Sequence, residues 1–147
     1  MCAAILATLP TWFGMPDAND EYAAAADAHP TFVATDDAGA TVGLTTITRY
    51  GDYCGEVHLM AVVPECHRQG IGRLMLNAAE AWLRDAGVEY LQVKTLSHTH
   101  GDEGYAKTRA FYHSYGFRDL EEFPLLWYPS NPALQMIKRI EPLSPTR

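Results

Sequence analysis

Cysteine is scarce and unpatterned in this chain. Cys2, Cys54 and Cys66 are odd in number, far apart, and outside any C-x-x-C spacing. A disulfide framework and a thiolate zinc site are therefore not indicated, and a reducing, cytoplasmic compartment is expected. Long apolar runs are missing as well. No stretch reaches the ~18 residues of a membrane span, and the apolar residues 1–9 are too short and have no basic leader, so a soluble, unsecreted protein is expected. Positive charge is in deficit: 11 Lys and Arg stand against 18 Asp and Glu, a formal net charge of −7. That balance argues against a nucleic-acid or anionic-membrane surface and mildly favours a cationic partner. Neither the three-glycine dinucleotide fingerprint nor a G-x-x-x-x-G-K-[ST] phosphate loop occurs, so those nucleotide folds lose their main support.

What is present fits one globular domain spanning residues 1–147. The apolar share of 48% and charged share of 20% are ordinary for such a domain, and the length buries a core without staples. Residues 16–28 read as a helix, opened by Pro16 and Asp17 and ended by His29-Pro30. Residues 31–35 and 41–50, rich in β-branched side chains around the turn Asp36-Asp37-Ala38-Gly39, read as a hairpin. Residues 56–62 form the next strand. Ile71, Leu74, Met75, Ala78 and Trp82 then recur at helical spacing, with Arg73, Asn77, Glu80 and Arg84 on the other face and Gly87 as a left-handed cap. Residues 88–95 give a further strand, which makes a right-handed strand–helix–strand crossover. A polar loop at 97–104, a helix at 105–115 capped by Gly116, and two closing strands at 117–128 and 134–140 complete the expectation, with a loose tail over 141–147. No internal repeat is visible.

The strand Val57-His58-Leu59-Met60-Ala61-Val62 leads through Pro64-Glu65-Cys66-His67-Arg68-Gln69-Gly70-Ile71-Gly72-Arg73 into the helix. A helix start offers backbone N–H groups without internal partners, together with the positive end of the dipole. Gly70 and Gly72 remove side chains that would hold a phosphate away, and Arg68 and Arg73 add permanent cationic donors. The segment reads as a cradle for a phosphate ester.

Here the sequence resembles the GNAT superfamily of acetyl-CoA-dependent N-acetyltransferases, whose signature is [QR]-x-x-G-x-[GA]. The six positions read His67-Arg68-Gln69-Gly70-Ile71-Gly72, with His67 in place of the usual Gln or Arg. A second segment, Arg109-Ala110-Phe111-Tyr112-His113-Ser114-Tyr115-Gly116-Phe117, resembles the family's F-Y-x-x-x-G-F element, and Tyr105 replaces the family's usual Asn seven residues before the tyrosine. The resemblance runs from about residue 31 to 140. It implies a mixed α/β domain: a central, mostly antiparallel sheet, one parallel βαβ crossover carrying the cofactor loop, and helices on both faces. It also implies acetyl-CoA as co-substrate. Main-chain groups of Arg68, Gln69, Gly70, Ile71, Gly72 and Arg73 would hold the pyrophosphate, and the backbones of Met60 and Val62 would pair with the pantetheine arm.

Acetyl transfer needs a neutral amine, yet an alkyl ammonium keeps its proton to about pH 10. Alternation along residues 56–62 places Glu56, His58 and Met60 on one face. The resemblance marks Glu56 and His58 as positions where family members carry a general base: Glu56 directly or through water, with His58 as alternate or partner. It marks Tyr112 as the acid that protonates the departing thiolate. Cys66 lacks the partners of an acyl-carrying nucleophile, and the His98-x-His100 pair lacks a closed ligand set, so no metal is expected. Acceptor contacts are expected from Trp12, Phe13, Tyr22, the 97–104 loop with Asp102 and Glu103, and Trp127. The expected activity is acetylation of a small-molecule primary amine. A protein lysine or N-terminus as acceptor, or a non-catalytic acyl-CoA-binding module, are the alternatives. The family's habit of pairing through C-terminal strands makes 134–140 the candidate segment for a homodimer.

Overall fold

The structure, a computed structural model, describes residues 1–10 and 13–142. Trp12 and most of the expected tail lie outside the described residues. The chain forms two compact units, Met1–Thr48 with Val57–Ala79, and Arg49–Glu56 with Glu80–Arg147. Among the described residues no helix is long and apolar enough to cross a membrane.

The first unit opens with a helix over the short apolar start of the chain, where the sequence signals none. This is α1, Cys2–Ala7, and it is followed by α2, Pro16–Ala28. Proline at the first position of α2 loses no hydrogen bond, because that N–H has no partner inside a helix. The expected hairpin is present as β1, Thr31–Thr35, antiparallel to β2, Thr41–Tyr50. Its turn is held by the Asp36 carboxylate, which accepts from the amides of Ala38 at 3.0 Å and Ala40 at 2.9 Å. Gly39 supplies the left-handed residue there, at φ 84°. Next come β3, Cys54–Val62, a single 3-10 turn at Pro64–Cys66, and α3, Ile71–Asp85.

Cys2, Ile5, Leu6 and Leu9 pack with Leu44 of β2 and Leu59 and Ala61 of β3, and Tyr22, Ala23 and Ala26 of α2 close over them. The neighbouring Gly43 points the other way. A Cβ there would come within 3.2 Å of Met75 and 3.3 Å of Ile71. Helices therefore cover both faces of these strands, and Gly43 is what lets α3 approach one of them.

The second unit contains β4, Tyr90–Leu96, a 3-10 turn at His98–His100, α4, Glu103–Tyr115, and the hairpin of β5, Arg118–Tyr128, with β6, Asn131–Arg139. β6 pairs antiparallel with β4 on one side and with β5 on the other. The six strands follow the order β1-β2-β3-β4-β6-β5, and β3 and β4 run parallel. Within the expected segment 134–140, residues 134–137 are paired on both sides, with β4 and with β5. β5 is the terminal strand, and its ladder to β6 is interrupted between Phe123 and Tyr128, where Leu125, Leu126 and Trp127 are exposed.

Burial alternates along β4: Leu91, Val93 and Thr95 are covered, while Tyr90 is exposed and Gln92 and Lys94 are partly covered. The covered face belongs with Leu134 and Met136 of β6.

The expected buried face of α3 is corrected by about one residue. Leu74 is 66% exposed and Trp82 37%, whereas Leu76, Ala79 and Leu83 are fully buried. Glu80, expected on the polar face, is buried. Lys138 of β6 reaches it at 2.6 Å and Arg84 stands at 3.7 Å. A pairing from the far end of the chain lets a carboxylate occupy an apolar face.

Candidate active site

The strand-to-helix corner in the first unit has the expected form. Arg68 takes φ 64°, unusual for a residue with a Cβ, and Gly70 takes φ 77°. Left-handed residues of this kind turn successive amides toward one concavity, which attracts anions. The first helical bond of α3 runs from the Leu74 amide to the Gly70 carbonyl at 3.0 Å, so the preceding amides form an open helix N-terminus. A Cβ on Gly70 would meet nothing within 4 Å. The backbone conformation, not crowding, requires glycine there. The arrangement fits a pyrophosphate.

His67 has a structural role at this corner. Its Nε2 lies 2.7 Å from the Val62 carbonyl, tying the loop back to the end of β3. The Gln69 side chain donates to the Glu65 carbonyl at 3.2 Å, which leaves its contribution to an anion to the main chain. Further along β3, Met60 and His58 are half-buried. The edge of the Tyr22 ring meets His58 at 5.5 Å between centroids, and Phe13 meets Tyr22 at 5.9 Å.

Glu56, in the second unit, is 5% exposed. Its Oε1 accepts from Lys94 Nζ at 2.9 Å and from Gln92 Nε2 at 3.0 Å, and its Oε2 accepts from the Tyr50 hydroxyl at 3.1 Å. Gln135 Nε2 in turn donates to Gln92 Oε1 at 2.9 Å. A carboxylate offers roughly four lone-pair sites. Three are engaged here, and the remaining one is on Oε2. Sequence reasoning missed Tyr50, Gln92, Lys94 and Gln135. The available signal was the polar alternation at 92 and 94 within an otherwise apolar strand, which marks one face of β4 as different.

Tyr112 is buried at 4% exposure in an aromatic group on α4 and the start of β5. Its ring is edge-on to Phe111 at 5.4 Å and to Phe117 at 5.3 Å. Three residues earlier on α4, the buried Arg109 donates to the Leu96 carbonyl at 2.7 Å, fastening α4 to the carboxyl end of β4. Gly116 ends the helix at φ 119°, as expected.

Of the loop acids, Asp102 caps α4: its Oδ1 accepts from the Tyr105 amide at 2.9 Å. Glu103 falls in the first turn of α4. Glu122 of β5 is held below the ordinary carboxylate range, chiefly by the Thr99 hydroxyl 2.5 Å away. Among the described residues, no three His, Cys, Asp or Glu side chains come together as a metal site.

Residues 27–119 match the acetyltransferase (GNAT) domain family. An uncharacterized N-acetyltransferase of Chlorobaculum tepidum is 30% identical over 91 residues, covering 62% of this chain. The chain spans about half the length of that relative, 52%. Among solved structures, a GNAT-family protein from Desulfovibrio desulfuricans superposes with a TM-score of 0.78 at 19% identity, covering 95% of this chain and 92% of the other. An aminoglycoside 6'-N-acetyltransferase complexed with coenzyme A gives 0.75 at 18%, covering 98% and 91%. The ribosomal-protein-S18-alanine N-acetyltransferase of Escherichia coli gives 0.71 at 21%, covering 99% and 90%. At these identities the structures establish the shared fold, and the domain match over residues 27–119 establishes the family: the chain belongs to the GNAT acetyltransferases.

Proposed function

We propose that the protein transfers an acetyl group from acetyl-CoA to a primary amine of a small molecule. The observation that carries this reading is the corner at Arg68 and Gly70, where left-handed residues open a fifteen-residue helix, in a chain of the GNAT family. Arg68, Gln69, Gly70, Ile71, Gly72 and Arg73 hold the pyrophosphate through their amides, and the Met60 and Val62 backbones align the pantetheine arm. When bound, acetyl-CoA supplies an acyl group activated as a thioester. The coenzyme A complex of the fold neighbour supports this choice of donor. The acidic balance of the chain supports a cationic acceptor.

Glu56 is the general base. Lys94, Gln92 and Tyr50 keep its carboxylate hydrogen-bonded, and the open lone pair on Oε2 takes the amine's proton through a water, with His58 as partner two residues along the strand. As the new N–C bond forms and the C–S bond breaks, the Tyr112 phenol gives its proton to sulfur. Dimer formation is part of the proposal and is checked by sedimentation at micromolar concentration.

The test is mass-spectrometric screening of amines and peptides for acetylated products, with Tyr112→Phe as control. Small-amine products absent from the control, with acetyl-CoA affinity retained, are expected. Products confined to peptides would replace the acceptor class. Binding without any product would leave an acyl-CoA-binding module.

A further inference from the structure

We infer that Gln135, on β6, is a positioning residue for Glu56: by donating to Gln92 Oε1 it fixes the Gln92 amide so that Nε2 faces the Glu56 carboxylate. The inference rests on the reading of Glu56 as the base. A carboxylate anion only accepts hydrogen bonds, so an amide beside it is favourable in one orientation and repulsive in the flipped one. Gln92 Nε2 stands 3.0 Å from Glu56 Oε1. Its Oε1 must then face away, where Gln135 Nε2 meets it at 2.9 Å. Loss of that donor removes what distinguishes the two orientations on the far side.

The sheet register builds this chain of contacts. Lys94 pairs with Gln135, and Gln92 with Ile137, so Gln135 lies diagonal to Gln92 on the same face. Lys94 and Gln92 together occupy Glu56 Oε1, and Tyr50 occupies one site on Oε2. The network thereby selects which carboxylate oxygen receives the proton. The other charged and titratable groups nearby are few. Lys94 also lies over the Tyr50 ring, 5.6 Å from its centroid. Cys54, two residues back on β3, has its thiol pushed up by burial and then by the Glu56 charge. His58 follows two residues later, and Glu121 pairs with Gln135 on the exposed strand β5.

The experiment follows the Glu56 carboxyl by carbon NMR, assigned by its absence in Glu56→Gln, alongside the pH profile of kcat/KM. In Gln135→Leu the Glu56 titration and the acid limb of the profile should both move to higher pH by about half to one unit, the scale of one neutral hydrogen bond. Gln135→Thr, a strand-compatible side chain too short to reach Gln92, serves the same purpose if the leucine variant folds poorly. Gln135→Lys, whose ammonium is a donor of sufficient reach for Gln92 Oε1, should hold both near the parent position or slightly below. Gln92→Leu/Gln135→Leu should shift no further than Gln92→Leu alone. A titration unmoved in Gln135→Leu and Gln135→Thr, or moved upward equally in Gln135→Lys, would overturn the inference. Full kcat across pH in Glu56→Gln would instead remove Glu56 as base, while the NMR titration still decides whether Gln135 sets the carboxylate's surroundings.

Discussion

The buried guanidinium of Arg109 donates to the carbonyl of Leu96 at 2.7 Å, joining α4 to the last residue of β4. The arginine thereby gives a main-chain acceptor at the end of the strand a charged, buried donor. Arg109→Met keeps most of the volume but strands the acceptor. It should destabilise the protein by about 2 kcal/mol, read as a lower denaturation midpoint in urea. An unchanged midpoint would show that the contact contributes nothing net.

Glu80 and Lys138 form a mostly buried pair at 2.6 Å, with Lys138 partly in water. Removing one partner leaves the other charge in a poor solvent, so Lys138→Met or Glu80→Leu alone should cost about 2–3 kcal/mol, at the low end because the lysine keeps some hydration. The double variant should recover much of that loss, since two apolar side chains need no partner. Additive losses in the double variant would contradict this account.

Gly70 isolates the proposed cofactor cradle from the packing of the protein. A Cβ there meets no atom within 4 Å, while φ 77° strains any L side chain. Gly70→Ala should therefore cost only roughly 1 kcal/mol of stability. Its acetyl-CoA affinity, measured by calorimetry, should fall at least tenfold, because the methyl group stands where a phosphate must approach the backbone. Equal affinity in the variant would place the pyrophosphate elsewhere.

Thr99 and Glu122 give a pH-dependent term of known sign. The Thr99 hydroxyl holds the Glu122 carboxyl below its ordinary range. A carboxyl lowered in the folded state contributes stability above its unfolded value, about 4.3, and that contribution is lost as pH falls through the folded value. Thr99→Val should consequently be less stable than the parent at neutral pH, with the gap closing toward acid. A gap that persists or widens in acid would contradict the assignment.

The elements were legible because their signals are local. Pro16 and His29-Pro30 bounded α2, Asp36 and Gly39 made the hairpin turn, and Gly87 and Gly116 marked left-handed helix ends. The glycine corner was legible for the same reason. The face of α3 was not, because its apolar residues fit two adjacent stripes, and packing chose the one containing Leu76, Ala79 and Leu83. The cap at Asp102 is not legible in the sequence, because α4 starts at Glu103, two residues earlier than the apolar pattern indicates, and only that start brings the Tyr105 amide to its carboxylate.

The order and kind of the secondary-structure elements from α2 onward, and the left-handed corner at Arg68 and Gly70, follow from the sequence alone, since they depend on dihedral preferences and periodicities spanning a few residues. Tertiary structure alone decided what surrounds Glu56. Gln92 lies 36 residues away from it, and Gln135 a further 43 beyond Gln92. Only the register of β4 against β6 brings those amides onto one face, and a register is set by long-range burial on the opposite face. The chemical environment of a buried carboxylate is a property of that register, which no single segment of this chain encodes.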